Sequence, residues 1–529
     1  MNTATAQPIA QQDRRSRASA VVAWGCFILG ALLLPLATLQ TVVPLAAWLA
    51  PLLLLRFVRA RPGRIALPLV IVAHQIALAI GLRDGFFPLP TPILVGMVLI
   101  IGALLALGYV ADRLLAPRLP AWADSLVFPL TVTGVDFLLA ERGPFATFLS
   151  PAFTQYGNLP LVQIASVAGI YGLTFLMTWT AAAANGVWQR GLADRGAQVL
   201  ALVNAGVLLV VLLAGGARLA FDHAAGPTVA VAALTPRPER YPYPAELAQA
   251  SAAERAALWA RSAPVLDDLL ARTRQEARDG ARIVVWSELA ARIPEENLPE
   301  VLARLQQVAR EEQIYLVAGI GAYRKTNQFP YIRNRAVMVD PAGTIVIDYA
   351  KAHPIPGSPW DAADAGPAVV PTVDTPYGRL AVVICYDADF PDLIRQAGRA
   401  GAAMLLVPGF DWAPIRYRHT EMTTFRAVEN GVALVRATGG GIAIATDAQG
   451  RVLSMVDDTP TDPSALTAAV PTVGTTTLYP FIGDAFAWLC VGGLAVLGGW
   501  VVLRRWLRVE TWGEPGPHDV VPPWMRRKG

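Results

Sequence analysis

Hydrophobic positions fall into two regimes along this chain. Up to about residue 215 they form long unbroken runs. One starts at Val21, and others cover residues 41 to 58, 66 to 82, 92 to 110, 122 to 140, 160 to 185 and 198 to 215. Each approaches the roughly 20 residues that a helix needs to cross about 30 Å of hydrocarbon. The second is the weakest, because Pro44 and Pro51 interrupt it. From Pro227 the runs shorten to strand length and alternate with amphipathic stretches. TVAVAALTP, RIVVW, IYLVAGIGAY, RAVMVD, TIVIDY, LAVVI, AMLLVPG, ALVRAT and IAIATDAQGRVLSMV predict strands, the last with a hairpin at DAQG. Residues 245 to 278, LPEVLARLQQVAREEQ, DLIRQAGRAGA and YRHTEMTTFRAVENG predict helices. A final long run from Phe481 to Leu503 precedes a basic, Pro-rich tail.

The predicted class is therefore α+β. A polytopic helical membrane domain of about eight spans has a domain of layered sheets and helices inserted before its last span. The boundaries are a polar segment 1–20, seven membrane helices in 21–219, the inserted domain 220–478, an eighth helix 479–503 and a tail 504–529. The first apolar run is too long for a signal peptide and has no small-x-small cleavage site, so it reads as a retained helix. Composition agrees: 54% of residues are hydrophobic and only 16% charged.

Charge then orients the spans. Arg14, Arg15 and Arg17, the arginines at 56, 59, 61 and 64, those at 113 and 118, those at 190 and 195, and Arg504, Arg505 and Arg508 occupy alternate loops and the two ends. Basic loops stay in the cytoplasm, which places 220–478 on the other side. A net charge of +4 leaves no nucleic-acid surface. The three cysteines offer neither a disulfide framework nor metal-ligand spacing, and no phosphate- or dinucleotide-binding motif is present, so no cofactor is expected.

Candidate chemistry centres on GRLAVVICYDADFPD, where an apolar strand delivers Cys385 into a polar turn. Glu288 follows RIVVW. Lys351 follows TIVIDY in a chain whose only other lysines are Lys325 and Lys528. A free thiol is only a few per cent thiolate at neutral pH, and a neighbouring ammonium favours the thiolate. Lys351 is expected to do that and to stabilise an oxyanion, while Glu288 shuttles the proton.

Glu, Lys and Cys in this order, each after a strand, resemble the nitrilase or carbon–nitrogen hydrolase superfamily, which implies an α-β-β-α sandwich for 220–478. With membrane spans on both sides, the whole is similar to the apolipoprotein N-acyltransferase family. The likeness lies in QIASVAGIYGLTFL, NRAVMVDPAGTIVIDYAKAHPIP, VVICYD and RHTEMTTFRAVENGVALVRATGGGIAIATDAQG. The resemblance implies a Glu288, Lys351, Cys385 triad and a multi-pass protein of the bacterial inner membrane with its catalytic domain outside. It also implies a phospholipid acyl donor and a lipoprotein acceptor. The chain departs from the family in three places. HPIPGSPWDAADAG lacks the glutamate that usually follows the lysine, leaving Asp361 or Asp364 as substitutes. Tyr386 and Asp387 follow the cysteine where the family favours Tyr-Glu, and PGFDWAP replaces an asparagine-containing stretch, with Trp412 as the aligned aromatic. Two other readings remain open, a membrane-anchored amidase or nitrilase and a catalytically silent scaffold.

Overall fold

A computed structural model describes residues 6–84, 89–143, 145–222, 226–237, 241–358, 361, 363–457 and 465–510. The membrane part comprises α1 (Ala6–Leu33), α2 (Ala46–Ala60), α3 (Gly63–Gly81), α4 (Thr91–Leu105), α5 (Leu107–Leu115), α6 (Ala121–Arg142), the single turn α7 (Leu159–Val162), α8 (Ala165–Arg190) and α9 (Arg195–Phe221). Among the described residues, seven helices are long and apolar enough to cross a membrane. The expected eighth is α2, which at 15 residues is roughly 22 Å long. It nevertheless returns to the level at which α1 begins its apolar run. Phe57, near its C-terminal end, packs on Trp24 and Phe27 at 5.2 and 4.8 Å, and Arg61 lies over the Trp24 ring.

One end of the bundle collects the arginine-bearing loops. Arg59 pairs with Asp112 at 2.6 Å and reaches Gln189, Arg56 lies over Trp188, and Arg190 meets Asp124 at 3.3 Å. The other end meets the inserted domain. There Thr147 donates to the Asp389 carbonyl at 3.1 Å, Gln163 to the Gln449 carbonyl at 3.0 Å, and Arg218 to Thr475 Oγ1 at 3.1 Å. The α8 helix is broken at Gly169 (φ 62°, ψ −171°), where a Cβ would lie 2.6 Å from the Tyr479 ring. Only glycine tolerates both that dihedral and that approach. The helix restarts at Ile170, whose freed N–H donates to the Glu429 carboxylate of the inserted domain at 2.9 Å.

The inserted domain is built from two sheets. Its strands are β1 (Thr228–Leu234), β2 (Ile283–Trp286), β3 (Ala291–Pro294), β4 (Tyr315–Tyr323), β5 (Ile332–Val339), β6 (Ile345–Ala350), β7 (Thr372–Thr375), β8 (Gly378–Val382), β9 (Met404–Phe410), β10 (Ala433–Gly439), β11 (Ile442–Thr446), β12 (Val452–Asp457) and β13 (Ala465–Pro471). One sheet runs β13-β1-β2-β4-β5-β6 with β3 added alongside β4; the other runs β12-β11-β10-β9-β8-β7. Their facing sides form one core of aliphatic side chains, including Val231, Val285, Leu380, Leu406 and Val435. The helices are α10 (Pro244–Ala248), α11 (Ala252–Arg278), α12 (Leu298–Glu312), α13 (Pro391–Arg399) and α14 (Arg416–Asn430), followed by the turn α15 (Tyr479–Ile482) and the last membrane helix α16 (Ala485–Glu510).

The helix expected over 245–278 is two helices, because Ser251 and Glu254 form a capping box that starts α11 afresh. The outer face of the first sheet is covered by α11 and α12, through Leu266, Leu270, Val301 and Leu305. The layer over the second sheet is α13 and α14, and its far side is already occupied. Ile415, Met422 and Phe425 join Phe148, Phe153 and Tyr171 in one apolar cluster shared with the bundle. Strands β3, β7 and β13 were not expected. All are short or lie at a sheet edge, and β13 alternates only loosely between buried and exposed positions.

Candidate active site

Three loops at the strand ends converge here. Strand β2 ends at Trp286, and Glu288 follows in a turn whose next residue, Leu289, has φ 53°. The Glu288 N–H donates to the Gly409 carbonyl at 3.1 Å, tying that turn to the end of β9. One residue further along β9, the Phe410 carbonyl accepts from Cys385 Sγ at 3.5 Å. Glu288 and Cys385 are thus fastened to adjacent residues of one strand. Cys385 itself has φ 48°. A side chain held in the left-handed region costs on the order of 1–3 kcal/mol, and two such residues flank this site.

Lys351 stands just past β6, fully buried. Its Nζ donates to Glu288 Oε1 at 2.8 Å and to Asp361 Oδ2 at 2.6 Å. Asn334 on β5 bridges the same two carboxylates, donating from Nδ2 to Glu288 Oε1 at 2.7 Å and Asp361 Oδ1 at 3.1 Å. The Ile355 N–H also donates to Asp361. Of the two aspartates expected as substitutes after the lysine, Asp361 is therefore in the cluster. Asp364 is exposed.

Burial pulls the Lys351 ammonium towards neutrality, but Asp361 and Glu288 outweigh it and hold the group charged well above its ordinary range. The Cys385 thiol goes the other way from expectation. Burial and the Glu288 carboxylate push it well above its ordinary value, and the opposing pull of Lys351 does not prevail. The physical reason is first the loss of solvent around a fully buried sulfur and then the Glu288 charge, while Lys351, itself held by two carboxylates at 2.8 and 2.6 Å, pulls the other way. The sulfur therefore rests as a thiol, near a carboxylate, which is a group able to accept a thiol proton.

Asp387 holds this arrangement from behind. It is fully buried and accepts from Tyr349 Oη at 2.9 Å, the Ile384 N–H at 3.1 Å and the His353 N–H at 2.7 Å. One carboxylate thereby fixes the cysteine turn to the lysine loop. Tyr386 is buried against Phe390 in an edge-to-face contact at 5.1 Å. Trp412 is half-buried and packs on the apolar cluster shared by α14 and the bundle.

A second buried network adjoins the sulfur. Asp411 accepts from both terminal nitrogens of Arg436 at 3.0 and 2.9 Å and pairs with His419 Nδ1 at 2.7 Å; His419 Nε2 stands 3.1 Å from Asp389. Burial opposes a charged imidazole, but Asp389 and Asp411 outweigh it and lift His419 to about 9. Sequence reasoning placed these residues only in a matching stretch and gave them no role. Cys385, Asp411 and His419 present potential metal-ligand atoms within 4.8 Å of one another. The bidentate guanidinium of Arg436 already neutralises Asp411, so the group reads as an ion-pair network.

With this geometry in place, the chain can be compared with known proteins. A carbon–nitrogen hydrolase family model matches residues 228–477, and a model of the apolipoprotein N-acyltransferase N-terminal domain matches residues 30–183. An apolipoprotein N-acyltransferase of Geobacter metallireducens is 29% identical over 407 residues, covering 72% of this chain and 74% of its own. One from Brucella melitensis is 27% identical over 385 residues, 66% and 68% of the two chains. A formamidase of Allorhizobium ampelinum is 29% identical over 168 residues, which is 30% of this chain and 48% of its own. Among solved structures, an amidase from Nesterenkonia covers 47% of this chain and 92% of its own at 22% identity and a TM-score of 0.37.

Proposed function

Because the chain belongs to the apolipoprotein N-acyltransferase family, we propose that it moves a fatty acyl chain from a membrane phospholipid to the N-terminal amine of a diacylglyceryl-cysteine lipoprotein, through a thioester on Cys385. In the first half, Cys385 Sγ attacks the ester carbonyl while Glu288 takes the thiol proton. An ammonium has three N–H donors, and two of those on Lys351 are engaged, leaving one for the oxyanion. Collapse expels the glycerol oxygen, which leaves with the proton from Glu288 as a lysophospholipid. In the second half, the lipoprotein amine attacks the thioester, and its proton returns through Glu288 to the departing sulfur.

The observation that carries this reading is the fastening of the nucleophile's own turn to the membrane bundle. Asp389, four residues past Cys385, accepts from Thr147, and Trp412 packs into the shared apolar cluster. A reactive group so placed can meet a lipid ester without the lipid leaving the bilayer. The site also lies at the end of the bundle opposite the arginine loops, which supports an extracytoplasmic location on the bacterial inner membrane. Reporter fusions at residues 62, 115 and 192 are expected to read inside and one at residue 300 outside; an inside signal at 300 refutes the orientation.

The chemical test is intact mass after incubating purified protein with phospholipid. One fatty-acyl mass should appear on Cys385, labile to hydroxylamine and discharged by a diacylated lipopeptide. Cys385→Ala should abolish the adduct. Glu288→Gln or Lys351→Met should slow it at least about a hundredfold. No adduct, together with hydrolysis of a soluble amide by the same cysteine, would replace this reading with an amidase.

A further inference from the structure

The buried ion pairs beside the sulfur take no part in the chemistry described above, and His419 ties them together. Asp389 closes the turn Cys385–Asp389 that carries the nucleophile, and Asp411 follows Phe410, whose carbonyl receives the thiol at 3.5 Å. His419, near the start of α14, stands between them, with Nδ1 2.7 Å from Asp411 Oδ1 and Nε2 3.1 Å from Asp389 Oδ1. Arg436 on β10 holds both oxygens of Asp411, and its Nη2 lies 3.0 Å from His419 Nδ1. Towards the membrane bundle the imidazole meets the Phe148 ring, with centroids 6.2 Å apart. Neither oxygen of Asp389 has another side-chain partner among the described residues. The network reaches the nucleophile. The sulfur, a ring nitrogen of His419 and an oxygen of Asp411 lie within 4.8 Å of one another, and Asp411 pushes the thiol up while Arg436 pulls it down.

We propose that His419 is a positioning residue for Cys385: by bridging Asp389 to Asp411 it fixes the nucleophile's turn against the end of β9 and cancels the carboxylate charge around the sulfur. This role rests on Cys385 being the nucleophile of the acyl transfer. Two buried carboxylates facing one guanidinium leave a negative charge uncompensated, and an imidazolium neutralises it. The geometry requires a proton on each ring nitrogen. A bare Nδ1 would aim its lone pair at Asp411 Oδ1, 2.7 Å away, and a bare Nε2 would do the same to Asp389. Against the effect of burial, the two aspartates keep the ring charged up to about 9. Without that charge the surplus carboxylate would oppose any negative charge developing on the sulfur as it attacks. Arg436 alone does not suffice, because both its terminal nitrogens are spent on Asp411.

The rate of Cys385 acylation by phospholipid, read by intact mass of the full chain in mild detergent, tests this. His419→Gln should slow it at least about tenfold at saturating donor while the half-saturating donor concentration stays within about twofold, since the lost charge acts on the sulfur and not on donor binding. Adding Asp389→Asn to His419→Gln removes the surplus charge and should restore the rate to within about threefold of wild type, which a loss of packing would not allow. The wild type supplies a readout that needs no variant. Its imidazolium, raised from an ordinary 6.5, is complete well below 9 and lost as pH rises through it, so the acylation rate should fall above about 9. The double variant should lack this fall. If the wild type forms no adduct, the acyltransferase reading fails on its own; alkylation of Cys385 by iodoacetamide, located by peptide mass, should then still rank wild type and double variant fast and His419→Gln slow. A His419→Gln rate equal to wild type, a double variant no faster than His419→Gln, or a wild-type rate that does not fall above about 9 overturns the proposal.

Discussion

Replacing Glu429 by glutamine should stabilise the protein above neutral pH, although it removes one partner of a buried ion pair. The carboxylate accepts from Ile170 N–H and from Arg426 Nη2, each at 2.9 Å, and no part of either charged side chain reaches solvent. Burial first, and then the charge of Asp484, push its carboxyl from an ordinary 4.5 up to about 7, against the pull of Arg426. In the unfolded chain the group ionises above about 4.5; in the folded one it stays protonated until about 7. The folded state therefore binds the extra proton between these values. Its stabilising effect is complete below 4.5 and lost as pH rises through 7. A displacement of this size corresponds to roughly 3 kcal/mol. Glutamine keeps the acceptor for Ile170 and never ionises. Wild type and Glu429→Gln should therefore melt together at pH 5 in detergent, followed by tryptophan fluorescence. At pH 8 the variant should melt several degrees higher. A variant that melts below the wild type at pH 8, or the same difference at both pH values, would refute the argument and show that the ion pair with Arg426 dominates the junction.

Other perturbations separate roles within the site. Asp361→Asn removes one of the two carboxylates that hold Lys351, so acylation should slow by about ten- to a hundredfold and its pH profile shift, read from the rate of adduct formation. Asp387→Asn keeps the size but exchanges an acceptor for an NH2 facing three donors; a loss of about 2–4 kcal/mol is expected in denaturant unfolding, with little loss if the hub is unimportant. Trp412→Ala should weaken turnover of long-chain donors more than of short soluble esters; an equal loss on both assigns it to packing alone.

The sequence carried the periodic part of this molecule well. Long apolar runs and strand-length runs are read from local pattern, and Glu288, Lys351 and Cys385 each follow a strand, so their nearness was foreseeable from the fold class. What could not be read was anything decided by contacts distant in sequence. Nothing in HPIPGSPWDAADAG distinguishes Asp361 from Asp364; the choice is made by Asn334, 27 residues away along the chain. Lys351 does pull the Cys385 thiol down, as its charge implies, but local pattern could not supply the complete burial of the sulfur and the Glu288 charge that together outweigh it. Glu429 and His419 looked like ordinary polar positions of an amphipathic helix. Their importance arises because the helix has almost no solvent side beyond its first turn: one face meets a sheet and the other a membrane bundle.

The pairing of β1 with β13 has a consequence for how the protein is made. These strands register residue for residue from Thr228 with Pro471 to Leu234 with Ala465. They are the first and last strands of the domain, and the eleven between them are all synthesised before the partner of β1 exists. During that interval the chain emerging beyond α9 carries an open sheet edge, a template for mispairing with a neighbour. Closure of the edge and delivery of α16 to the membrane are nearly simultaneous events, since only the short turn α15 separates them. A ribosome stalled before residue 465 should thus leave a domain that holds most of its core yet is protease-sensitive at β1. Completion of the last few strand residues, more than any later packing step, marks the moment at which the enzyme is sealed.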